Sequence, residues 1–173
     1  MKSAVLAAIA IPVLTSTLAL ARPVEDYPYE RLFEEADLVV FASAIKIENT
    51  VDKLKGYDEL TGQNTTFKIN YALKGTVKGD KIKVLHFKLK EIEGDKEILR
   101  AIVNGPQLVA FRTEPAKATV GKEQITLPTP EYLLFLKQLK DGRYEPVSGP
   151  IDPVLSVKEV STPFDTVLGE KKS

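Results

Sequence analysis

The sequence predicts a mostly β domain, an antiparallel barrel or sandwich led by one short helix. Three observations predict it. Segments with period-two alternation or dense Val, Ile, Phe and Tyr content recur along the chain, as in Thr65–Leu73 and Glu131–Leu139. Gly, Pro and Asp-Gly punctuation separates them at short intervals. Alternating strand–helix units are absent, which argues against a parallel nucleotide-binding sheet.

The first 21 residues read as a signal peptide. Lys2 supplies a minimal basic start, Ala4–Leu20 carries no charge, and Ala19-Leu20-Ala21 offers small residues for cleavage before Arg22. Pro12, Thr15, Ser16 and Thr17 weaken the rival reading, an uncleaved anchor, which needs about 20 strongly apolar residues. Cleavage leaves about 150 residues, a common single-domain size. The expected organisation is a leader over 1–21, one barrel domain over 22–160 and a C-terminal tail over 161–173. The mature chain is expected to be exported, periplasmic or extracellular, with no stable membrane insertion.

Residues Tyr27–Ala36 read as a short helix, with Tyr29, Leu32, Phe33 and Ala36 forming one apolar stripe. It is too short to hold alone and must dock. Leu38–Ile47 reads as a strand buried on both faces at its start. Glu48–Gln63 reads as a long loop or hairpin tip. Thr65–Leu73 is a half-buried strand, 74–80 a turn, and Lys81–Lys90 a strand. In that last strand Ile82 and Val84, then Leu85, Phe87 and Leu89, show the apolar face switching, a bulge signal. Glu91–Glu97 reads as a charged loop, and Ile98–Val103 as a short strand or helical turn. Gln107–Arg112 reads as a strand and Thr113–Pro130 as a long polar connection. Glu131–Leu139 and Tyr144–Ser148 read as strands joined at Asp141-Gly142, a strong hairpin signal. Leu155, Val157 and Val160 suggest a last edge strand or helical turn.

Several of these segments together carry a family resemblance. They are Ala36-Asp37-Leu38-Val39-Val40, then Leu73-Lys74-Gly75, the Gly79-Asp80 turn and Ile82-Lys83-Val84. Glu131–Leu136, Asp141-Gly142 and Ser148-Gly149 follow. Over roughly residues 29 to 150 the chain resembles bacterial OB-like domains related to the tissue inhibitor of metalloproteinases and netrin modules. The resemblance implies a small antiparallel OB-like barrel, a binding module. It carries over no functional residue. The animal inhibitors reach a protease zinc through an N-terminal cysteine, and this chain has none.

Composition excludes whole classes of chemistry. With Cys 0 there is no thiol catalysis, thiolate metal site or iron–sulfur cluster, and with Trp 0 no tryptophan sugar platform. Lys+Arg and Asp+Glu are both 24, so there is no overall basic footprint for nucleic acid. The nearest basic–aromatic set is Lys81, Lys83, His86, Phe87 and Lys88, with Lys74 and Lys78 nearby. It reads better as lysines guarding a sheet face or edge.

His86 is the only histidine. As a general base it would need a nucleophile and an orienting carboxylate, and no Gly-x-Ser-x-Gly elbow supplies one. Glu34, Glu35 and Asp37 read as a solvated face, and Glu91, Glu93, Asp95 and Glu97 lack calcium-loop spacing. Asn64-Thr65-Thr66 matches a glycosylation sequon.

The densest run of special residues is Asp141–Pro153. It could form a rim loop presenting Arg143, Tyr144 and Asp152 to a partner, since OB-like folds bind at their rims. The expected binding residues are therefore Arg143, Tyr144, Asp152 and His86, with no catalytic residue, no metal and no cofactor. The expected function is an exported interaction module with a protein partner and no nucleic acid. The alternatives are a hydrolase or metal-dependent enzyme using His86 with carboxylates, and a structural cell-envelope component.

Overall fold

The computed structural model describes residues 25–90, 105–120 and 122–160. The proposed leader, the charged loop Glu91–Glu97, the segment Ile98–Val103 and the tail 161–173 lie outside the described residues. The elements are α1 (Tyr29–Glu35), β1 (Leu38–Asn49), β2 (Leu60–Lys74), β3 (Lys81–Leu89), β4 (Ala116–Val120), β5 (Glu123–Leu127), β6 (Glu131–Gln138), β7 (Tyr144–Pro146) and β8 (Val157–Val160). A 3₁₀ turn, Pro153–Leu155, precedes β8.

The main sheet runs β1-β2-β3-β7-β6, and pairing of β1 with β6 closes it into a five-stranded OB-like barrel. One edge of β6 carries β1. The other is divided between β7 at Leu136–Gln138 and β8 at Glu131–Leu134. All pairings are antiparallel except β3 with β7, a parallel contact through the single bridge Val84↔Tyr144.

A closed barrel needs strongly coiled strands, and bulges supply the bend. They lie in the β1–β2 ladder, with register shifts at Val39/Val40, Phe41/Ala42 and Ala44/Lys46. The bulge expected within Lys81–Lys90 is not there: β2 and β3 pair without a break from Leu60↔Leu89 to Lys68↔Lys81. Strand β3 has apolar residues on both faces instead. Ile82, Val84 and His86 point inward in one phase, and Phe87 is buried on the opposite face. The β1–β2 loop covers that outer face. At Gly62, which pairs with Phe87, an added Cβ would lie 2.6 Å from Thr50 Oγ1 and 2.8 Å from the Asp52 carbonyl, so only glycine lets the loop cross so closely.

The barrel interior holds Val40, Ala42, Ala44, Phe67, Val84, Tyr132, Leu134 and Leu136 among others. A second cluster lies outside it, where Leu32 and Ala36 of the helix region pack on Val39, Phe135 and Val147. The start of β1 is thus buried on both faces because α1 covers the outer one. Of the helix stripe, Leu32 and Ala36 are buried while Tyr29 and Phe33 stay largely exposed. The Lys74 ammonium donates to the carbonyls of Phe33 (2.7 Å) and Glu34 (3.0 Å), satisfying the last turn of α1.

Two further readings are corrected. Gln107–Arg112 is not a strand. It joins no ladder among the described residues, and inserts a plug instead. Phe111 meets Phe67 (4.8 Å), His86 (4.8 Å) and Tyr132 (5.1 Å) edge to face, and the Arg112 amide donates to Tyr132 Oη at 2.9 Å. Within Thr113–Pro130 lies the β4–β5 hairpin, a two-stranded sheet of its own.

Candidate binding site

The β6–β7 turn is set by local chemistry. Gly142 has φ +86, the left-handed region that favours glycine. The Asp141 carboxylate accepts from the Arg143 amide at 3.0 Å and from its Nε at 2.7 Å. Held this way, the guanidinium reaches across to the β1–β2 loop. Its Nη1 and Nη2 bind the two Asp52 oxygens at 2.7 and 3.0 Å, a bidentate fork, and Nη1 also donates to Asn64 Oδ1 at 3.1 Å.

The Arg143 and Asp52 side chains are 21 % and 30 % exposed, so water screens the pair only in part. Arg143 foremost, and then Thr50, hold the Asp52 carboxyl down at about 2. Arg143 also lowers Asp141, and the two carboxylates raise the guanidinium further above its ordinary range.

Beside this clamp lies a groove of about 690 Å³. It exists because β3 and β7 meet at one bridge. Before Tyr144 the chain is already turning at Asp141-Gly142, and after Glu145 comes Pro146, which has no N–H to lengthen a ladder. Lys78, Lys81 and Lys83 line one wall, and Gln138, Asp141 and Arg143 the other.

Of the expected binding residues, Arg143 and Tyr144 line this groove. Tyr144 is mostly buried, with only 7 % of its surface exposed, and burial raises its hydroxyl pKa. Asp152 does not line the groove and is buried. Its Oδ1 accepts from the Gln107 amide (3.3 Å), and its carbonyl accepts from Ser148 Oγ (2.7 Å). His86 is in the barrel interior at 1 % exposure. Its Nε2 lies 2.8 Å from Thr65 Oγ1, Nδ1 has no hydrogen-bond partner among the described residues, and burial lowers the ring to about 4.

The basic set read from the sequence is divided in the same way. Lys78, Lys81 and Lys83 face the groove, Lys74 caps α1, and Phe87 is buried. Two of the acidic set Glu34, Glu35 and Asp37 have structural partners: Glu35 pairs with Arg31 and Lys137, and Asp37 Oδ2 accepts from the Gln138 amide at 2.8 Å. In the sequon, Asn64 binds Arg143 and Thr65 is buried against His86.

Sequence reasoning missed Asp52, which carries no motif, and met Asn64 only as part of a sequon; both lie far from Arg143 in the chain. Among the described residues no group of three or more His, Asp or Glu side chains stands close enough to hold a metal ion, and no helix is long and apolar enough to cross a membrane. Comparison with protein families, curated proteins and solved structures found no match.

Proposed function

We propose that the chain is an exported binding module without catalytic activity, and that it captures a protein partner at the rim organised by Arg143. The observation that carries this reading is the clamp itself. The bidentate pair with Asp52 fixes the β1–β2 loop against the β6–β7 turn, at the mouth of an open groove. A rim held rigid before binding loses less conformational freedom when a partner docks. The resemblance to netrin-like barrels supports the same role without assigning residues. Export rests on the leader.

A hydrolytic role for His86 finds little support in this geometry. The ring is enclosed by Thr65 and Phe111, away from the groove.

The test is capture from the native exported fraction with tagged protein spanning residues 22–173, beside Arg143→Ala and Asp52→Ala. A specific partner lost with both substitutions supports the reading. Capture indifferent to both would move the interface elsewhere. Turnover of a hydrolase substrate panel that is lost in His86→Ala would replace it with the enzymatic alternative, and recovery only in large assemblies with the structural one.

A further inference from the structure

The groove has a chemistry more specific than a rim. On the β2 side, β3 is fully paired from Lys81 to Leu89. On the other side its described pairing is Val84↔Tyr144 alone. Among the described residues no strand pairs with Lys81, Ile82 or Lys83 on this side, and the hairpin turn stands across the groove from them. This is a short open sheet edge within an otherwise closed barrel, and such an edge is a template for another strand.

The side chains around it select the charge of that strand. Lys78, Lys81 and Lys83 are exposed along the wall, and Lys68 pairs directly across from Lys81 on β2. Against them the lining has one carboxylate, Asp141, which Arg143 already engages. Glu48 lies near enough to Lys83 to interact with it, but the described lining itself is cationic, within a chain of zero formal charge. Thr66, Thr76 and Gln138 add neutral hydrogen-bonding groups. The volume suits a few residues of extended chain rather than a globular surface.

We infer that the groove binds an extended acidic segment of a partner protein, laid beside Lys81–Lys83 as an added strand. The inference deepens the binding-module reading and rests on it. Backbone hydrogen bonds to β3 would hold the segment. Alternate carboxylates on its outward face would meet the lysines, while the intervening residues face Val77 and Tyr144.

The test uses the mature chain and fluorescent heptapeptides read by anisotropy at low salt (about 50 mM, where surface charges are weakly screened). The probes are alternating Glu-Val, alternating Lys-Val, the Glu-Val peptide N-methylated at alternate residues, and an oligothymidylate of matched charge. The expected result is binding of the Glu-Val peptide alone. It should weaken roughly tenfold in Lys81→Gln/Lys83→Gln and not in Lys117→Gln on the separate β4–β5 hairpin. Circular dichroism confirms that the variants are folded, and Lys78→Gln gives a second reading outside β3. Undiminished binding of the N-methylated peptide would overturn strand addition. Equal binding of the oligothymidylate would overturn the protein segment in favour of a general polyanion site. No binding of the Glu-Val peptide would overturn the inference. If native capture still depended on Arg143 in that case, the binding-module reading would stand without it.

Discussion

An imidazole enclosed by a hydroxyl and an aromatic edge has little to stabilise a positive charge. His86 is in that position, and burial holds its ring at about 4 against an ordinary 6.5. The direction of the pH effect follows. Above pH 6.5 both folded and unfolded chains keep the ring neutral, and this group's contribution is complete. As pH falls from 6.5 towards 4, the unfolded chain takes up a proton that the folded core refuses. Stability therefore drops across that window, by at most about 3 kcal/mol, and levels off below it. Urea unfolding of His86→Gln, which can still hydrogen-bond Thr65, should show a flatter profile between pH 6.5 and 4 than the parent. An unchanged slope would mean that other groups carry it. Asp52 works lower on the scale. Its depressed carboxyl contributes stability above its unfolded value near 3.8, and that contribution is lost as pH falls towards 2. It is worth up to about 2 kcal/mol before allowing for partial solvent screening. Asp52→Asn should remove this acid limb, and the same unfolding series reads it. Gly75 tests a third constraint. Its φ is +82, and an added Cβ would lie 2.3 Å from the Asp37 carbonyl. Gly75→Ala is expected to lower stability by roughly 1–3 kcal/mol, measured by chemical denaturation.

Elements were legible where local pattern and tertiary demand agree. The Leu38–Phe41 run announced a strand covered on both sides, and α1 supplies the second cover. The Asp141-Gly142 turn and the flanking strands were equally plain. The β3 phase was misread because His86 occupies an inward position that an apolar residue would have marked. With a polar residue at 86, Leu85 and Phe87 looked like a switched face. Gln107–Arg112 has strand-forming residues, but whether such a segment joins a sheet or packs on the core depends on distant partners, here Phe67, His86 and Tyr132 around Phe111, which local sequence does not encode. The β4–β5 hairpin was hidden by the neighbouring Pro115, Pro128 and Pro130. That hairpin pairs with no barrel strand. Replacing residues 116–127 by a short Gly/Ser linker should therefore move the thermal midpoint by less than about 4 °C, the equivalent of roughly 1 kcal/mol in a chain of this size. Calorimetry decides it, and a larger loss would show that the hairpin supports the core.

At the scale of the whole molecule, the barrel was expected and its closure was not readable. Closure depends on β1 meeting β6 and β3 meeting β7, pairs far apart in the chain whose choice no short window contains. The candidate site followed the same rule. Arg143 and Tyr144 stood out through the turn that carries them, whereas Asp52, Asn64 and the lysine wall became a site only when distant segments came together. The single Val84↔Tyr144 bridge also sets how the folded molecule breathes. A hoop parts first at its weakest joint, and here three long antiparallel ladders, the shorter β6–β7 ladder and the packed core resist opening while one parallel contact does not. Amide protons along β7 and the adjoining edge of β3 should exchange with deuterium through a local opening, well ahead of those between β1 and β2, which wait for global unfolding. The barrel would then be a ring with a built-in gap, able to spread at one seam while the rest of its wall stays intact.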